Sequence, residues 1–125
     1  MSGLTLDSGA LIAFERGERS VVAIVARALE HRMKLAVPAG VVGQVWRDGR
    51  KQARLARLLA SNVVEIEALD DGRARAAGQL CGATGTSDVI DASVALCAQA
   101  RGQGVLTSDP DDLARLGPSL RLVVV

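Results

Sequence analysis

Leu4-Thr5-Leu6-Asp7-Ser8-Gly9 is a short apolar run that stops on a carboxylate and a turn-forming pair. Such a run reads as a buried strand that passes straight into a helix. The same grammar returns near the other end of the chain, in Gly104-Val105-Leu106-Thr107-Ser108-Asp109-Pro110. In an open sheet of parallel strands, ligands bind outside the carboxyl ends of the strands. Asp7 and Asp109 are therefore expected at one sheet edge, facing one crevice.

Between these two stretches the pattern alternates. Val21, Val22, Ile24, Val25, Ala28 and Leu29 recur at helical spacing and predict an amphipathic helix over 18–32. A second strand is expected over 34–37, closed by Pro38, with a helix from 39 to 46. A third strand is expected over 63–66, a helix over 70–80 and a flexible turn over 82–86. The next helix opens at Ser87-Asp88 and stops at Gly102-Gln103-Gly104. A short helix over 111–116 and a strand over 120–125 complete the chain. Alternation of this kind predicts an α/β fold: an α/β/α sandwich on a mostly parallel sheet of about five strands.

At 125 residues the chain is expected to form one domain, 1–125. Apolar residues make up 49% but aromatics only 2%, so the core must be built from Ala, Val, Leu and Ile. A formal charge of +1 gives no global polyanion signal, and any nucleic-acid contact must rest on a local patch. Cys81 and Cys97 form no metal-like pair and are expected in or near the core. With no signal peptide and no long apolar span, the sequence reads as a reduced cytoplasmic protein without a membrane segment.

The one basic cluster is Arg47, Arg50, Lys51, Arg54 and Arg57. On an unbroken helix these positions would share roughly a third of the circumference. The stripe would serve phosphate contact, the acids of a partner, or solvation alone. Leu55, Leu58 and Leu59 lie beside it.

Each acid has a structural explanation when taken singly. Asp7 fits a helix N-cap, Asp109 before Pro110 fits another, and Asp88 with Asp91 resembles an acidic capping box. Asp111 and Asp112 suit a helix dipole. What favours function is convergence, since Asp91 falls in the first turn of a helix that must begin at the same edge as Asp7 and Asp109. Three crowded carboxylates raise one another's pKa unless a cation neutralises them. Oxygen ligands with open positions suit Mg²⁺ or Mn²⁺, and the absence of Cys or His among them disfavours zinc. Such a site activates water and neutralises a phosphodiester during in-line attack. His31 is the only histidine and sits on a predicted helix, so a Ser-His-Asp site is disfavoured.

These residues resemble those of PIN-domain proteins. The resemblance is carried by the run from Leu4 to Ala13, by Val37-Pro38-Ala39 leading to Val45-Trp46-Arg47, by Asp88 through Ala95, and by Val105-Leu106-Thr107-Ser108-Asp109. More narrowly, the chain is similar to the VapC toxins of type II (VapBC) toxin-antitoxin pairs. The resemblance implies a Mg²⁺-dependent endoribonuclease, with Asp7, Asp91 and Asp109 as catalytic and metal-holding acids and Asp112 and Asp88 as supporting candidates. It also implies a homodimer and a VapB-like antitoxin whose tail lies in a groove. The apolar flank of 18–32 and the Leu55, Leu58, Leu59 face are candidate walls.

One departure stands out. Where the family commonly carries Glu on the helix after the second strand, this chain has Gln44. An amide offers one oxygen but no charge and cannot act as a base. Asp48, four residues on, is the candidate to compensate. The competing expectation is accordingly a PIN-fold RNA- or partner-binding module with weak or no nuclease activity. A phosphoacceptor receiver domain is disfavoured, because it needs a strand-end lysine and the only lysines are Lys34 and Lys51.

Overall fold

The computed structural model describes residues 3–125. Five strands form one sheet: β1 (Gly3–Leu6), β2 (Lys34–Pro38), β3 (Val64–Glu67), β4 (Gly104–Thr107) and β5 (Leu122–Val124). Their order is β3-β2-β1-β4-β5 and every pairing is parallel. β1 and β4 are buried at every residue, which is why they read as continuous apolar runs rather than as alternation. Leu4 pairs with Leu35 on one side and with Gly104 on the other.

Among the described residues seven helices cover the sheet: α1 (Ser8–Glu15), α2 (Arg19–Glu30), α3 (Ala39–Val45), α4 (Ala53–Leu59), α5 (Asp71–Thr84), α6 (Val89–Arg101) and α7 (Pro110–Leu116). The chain steps from β1 to β2 to β3 in one direction, then returns to the other side of β1 for β4 and β5. Right-handed crossovers put the helices of the outward steps on one face and those of the return on the other. Accordingly α1 packs on α2 and α4, while α6 carries α5 and α7. α3 touches both α1 and α6. The α/β/α sandwich expected from the alternation is the observed architecture.

The main core lies around β1 and β4, with Leu6, Leu11, Val21, Val25, Leu35, Leu55 and Leu106 essentially inaccessible. Both cysteines are free and buried, as expected. The outer strand β3 is tied to α6 by Arg101, which bonds Glu65 at 2.8 Å and also holds Glu67. Among the described residues no helix is long and apolar enough to cross a membrane.

Three local expectations are corrected. The helix begun at Ala39 ends at Val45, and Trp46 is extended at φ −76°, ψ 128°. Arg47, Arg50 and Lys51 therefore occupy a loop, with only Arg54 and Arg57 on α4. The five-residue stripe does not exist as one helical face. For the same reason Asp48 does not share a helical face with Gln44. The flexible turn expected over 82–86 is mostly helix, because α5 runs on to Thr84 and stops at Gly85, whose φ is +69°. Gly78 and Gly82 sit inside that helix on open surface, where a missing side chain leaves no void.

Candidate functional site

The strand order reverses between β1 and β4, and the carboxyl ends of those two strands lie side by side. Gly9 makes the close approach, since a Cβ there would fall 1.9 Å from the Ser108 hydroxyl. Asp7 leaves β1, caps α1 by accepting the Ala10 amide at 2.8 Å, and is only 5% exposed. Its other oxygen accepts a hydrogen bond from the buried Thr107 hydroxyl at 2.5 Å. That hydroxyl in turn accepts the Asp109 amide at 2.9 Å, so one threonine holds both strand-end turns. Thr107 was not singled out in the sequence; a hydroxyl two residues before Asp109 is the signal of such a side-chain turn.

Asp109 occupies the N-cap position of α7 with Pro110 following, but its carboxylate makes no capping bond. The capping explanation thus holds for Asp7 and fails for Asp109. Asp88 caps α6 by accepting the amides of Ile90 and Asp91, both at 3.0 Å, as expected. Asp91 stands in the first turn of α6, next to Ile90, whose side chain fills the space above Gly40 of α3. This contact locks α3 and α6 together, with Gln44 one turn further along α3 on exposed surface.

The acids share one electrostatic environment. Burial holds the Asp7 carboxyl above its ordinary value, outweighing the Thr107 and Ala10 hydrogen bonds, and the Asp109 charge adds to the rise. The Asp91 carboxyl is pushed up to about 6 by burial and then by Asp88, Asp112, Asp7 and Asp109. Burial, Asp112 and Asp111 likewise raise Asp109. A cleft of about 330 Å³ opens beside Asp91, lined by Asp88, Asp91, Asp112 and Arg115 but by neither Asp7 nor Asp109. Arg115 is a further feature that sequence reasoning missed, a cation placed among the acids by the last turn of α7.

These acids do not make a complete metal cage. Among the described residues no three His, Cys, Asp or Glu side chains gather closely enough to hold a metal ion. Both Asp7 oxygens are engaged by protein donors, and Gln44 contributes no charge. The ensemble is an acidic crevice with long-range coupling rather than an assembled ligand set.

The basic residues lie beyond α3. Arg47 turns back to donate to the carbonyls of Gly43 and Trp46, at 3.2 and 2.7 Å, closing the end of α3. Asp48 accepts the Arg50 amide at 3.0 Å. Gln52, only 8% exposed, organises the whole loop. Its oxygen accepts the amides of Arg47 and Asp48, and its nitrogen donates to the Val45 carbonyl and to Glu15 of α1. Arg54 and Arg57 instead rim a groove of about 640 Å³ between α2 and α4, floored by Phe14, Val22, Val25 and Leu58. Of the three leucines considered as groove wall, Leu58 lines it and Leu55 is fully buried core.

The fold and crevice define a class of strand-end acid proteins, and comparison with known proteins makes the family explicit. Residues 4–117 match the PIN domain, and the chain belongs to the PIN domain family. A comparison with curated protein sequences finds no match. Among solved structures the chain is similar to VapBC2 from Rickettsia felis bound to a DNA fragment from its promoter, with a TM-score of 0.71, 17% identity, and coverage of 98% of each chain. It is also similar to a toxin-antitoxin complex from Klebsiella pneumoniae, with a TM-score of 0.70, 19% identity, and coverage of 98% of this chain and 97% of that one. PAE2754 from Pyrobaculum aerophilum gives 0.68 and 17% identity, over 97% of this chain and 83% of that one. At these identities the likeness is one of fold.

Proposed function

We propose that the chain, as a single PIN domain over 1–125, is the VapC-like member of a toxin-antitoxin pair and acts as an RNA- and partner-binding module with weak or no nuclease activity. The observation that carries this reading is Gln44, a neutral amide on α3 where the resemblance would put an acid, in a chain whose described residues include no three acids that form a metal-binding group. RNA contact falls to the basic loop residues Arg47, Arg50 and Lys51. The antitoxin segment occupies the apolar groove between α2 and α4, where Arg16, Arg54 and Arg57 at the rim favour an acidic amphipathic partner. A homodimer in the cytoplasm belongs to the same proposal.

A second reading, Mg²⁺- or Mn²⁺-dependent RNA cleavage at Asp7, Asp91 and Asp109 with Asp88 and Asp112 in support, is favoured by one observation. Asp91 feels the charges of Asp7, Asp88, Asp109 and Asp112 together, which is the electrostatic setting a cation relieves. One experiment separates the two. RNA binding in chelator and RNA cleavage in Mg²⁺ or Mn²⁺ are measured for the parent, Asp91→Asn and Gln44→Glu. The binding module predicts RNA bound by the parent, little cleavage, and cleavage that appears in Gln44→Glu. Vigorous metal-dependent cleavage by the parent, abolished in a folded Asp91→Asn protein, would replace the first reading with the second.

A further inference from the structure

We infer that the loop from Trp46 to Lys51 is a base-stacking subsite for single-stranded RNA, with the Trp46 indole as the platform and Arg50 and Lys51 as phosphate contacts. This rests on the reading of the chain as an RNA-binding module. The chain has two aromatic side chains, and they are treated oppositely: Phe14 is core, whereas Trp46 is left 38% exposed. The loop residues that follow it are polar or charged, with Arg47, Arg50 and Lys51 exposed and Asp48 partly so. A protein-binding hot spot is normally framed by further apolar surface. An exposed aromatic ring in a loop that also exposes cations suits a base with its flanking phosphates.

The ring is also held in place. A Cβ on Gly49 would lie 2.6 Å from the Trp46 Cζ2 atom, so the indole rests against the backbone of its own loop. That loop is fixed by the Gln52 bonds to the Arg47 and Asp48 amides and by the Lys51 amide donating to the Asp48 carbonyl at 3.0 Å. The Arg50 side chain is 94% exposed and its guanidinium pairs with Asp48 at 3.7 Å, a solvent-exposed ion pair weak enough for a phosphate to replace. Position completes the case. Trp46 follows α3 directly, six residues after Gly40, or about 9 Å along a helix axis. Gly40 is the residue that packs on Ile90, the neighbour of Asp91. Trp46 thus caps the far end of the helix whose first turn packs beside Asp91.

The test uses the sole tryptophan as its own reporter, because the chain has no tyrosine and one Trp. A labelled single-stranded oligoribonucleotide of about 12 nucleotides is titrated in chelator, by anisotropy and by indole emission. Parent protein is expected to show emission quenching that saturates with the anisotropy curve. Trp46→Leu should weaken binding about 5-fold to about 150-fold while leaving the salt dependence unchanged. Trp46→Phe should keep most of the affinity, and Arg50→Gln should lower the salt slope by about 0.7. If the parent binds but Trp46→Leu binds equally and the emission never changes, the subsite is wrong and the module reading stands. If the parent binds no RNA, both fail. Emission that responds to protein concentration and not to RNA assigns the loop to a protein contact and overturns the subsite.

Discussion

Asp91 illustrates how a crowded, half-buried carboxylate burdens its own fold. Unfolded, its carboxyl titrates near 3.8, and in the folded protein near 6. Between those values the native state holds the extra proton, so the stability linked to this group is fully present below about pH 4 and is lost as pH rises through 6. Partial exposure reduces the penalty by solvent screening to on the order of 1 kcal/mol. Asp91→Asn is therefore expected to be more stable than the parent at about pH 7.5 and equal to it near pH 4, as read by urea unfolding at both values. A cation that binds the charged crevice would narrow that gap by stabilising the parent alone. Asp7, with both oxygens bonded, is buried for a different reason: it joins β1 to β4 through Thr107. Spacing alone could place Asp7 and Asp91 at one edge, but which acid caps and which stays uncapped is set by the turn chemistry of Thr107 and Pro110.

The segment between α3 and α4 shows where a one-dimensional pattern stops being informative. Counting positions from Arg47 to Arg57 presumes continuous helix, against which the sequence sets Gly49. What creates the loop is tertiary, namely a buried glutamine 37 residues from the Glu15 it bonds. Gln52→Leu keeps the volume and leaves the Arg47 and Asp48 amides and the Val45 carbonyl without their partner. The expected cost is about 2–3 kcal/mol, with faster hydrogen exchange at the Arg47 and Asp48 amides and unchanged exchange in α6. α5 shows the converse error: its glycines suggested a turn, yet on open surface the penalty of glycine inside a helix is small enough for packing against α6 to override it.

For the molecule as a whole, the alternation of apolar strands with helices carried the sheet, its parallel sense and the edge where the acids meet. β1 and β4 were readable because strands buried on both faces have no choice but to be apolar. The strand order is a tertiary property that no local pattern encodes, and with it comes the contact between Gly9 and Ser108 at the ends of β1 and β4. Gly9→Ala drives a methyl into the Ser108 hydroxyl and is expected to lose about 1–3 kcal/mol. Adding Ser108→Gly should recover most of that loss, so a double-mutant cycle by thermal unfolding should return a favourable coupling between positions with no sequence proximity.

The pairing of Leu4 with Gly104 has a consequence in time. A ribosome working at about 5–20 residues per second finishes β1 roughly 5–20 s before the strand that must lie beside it. Throughout that interval the nascent polypeptide has Asp7 but neither Thr107 nor Asp109, so no crevice exists while translation is under way. A message cut anywhere upstream of β4 yields a chain that lacks the central partner strand of β1 and with it the Thr107 tie to Asp7.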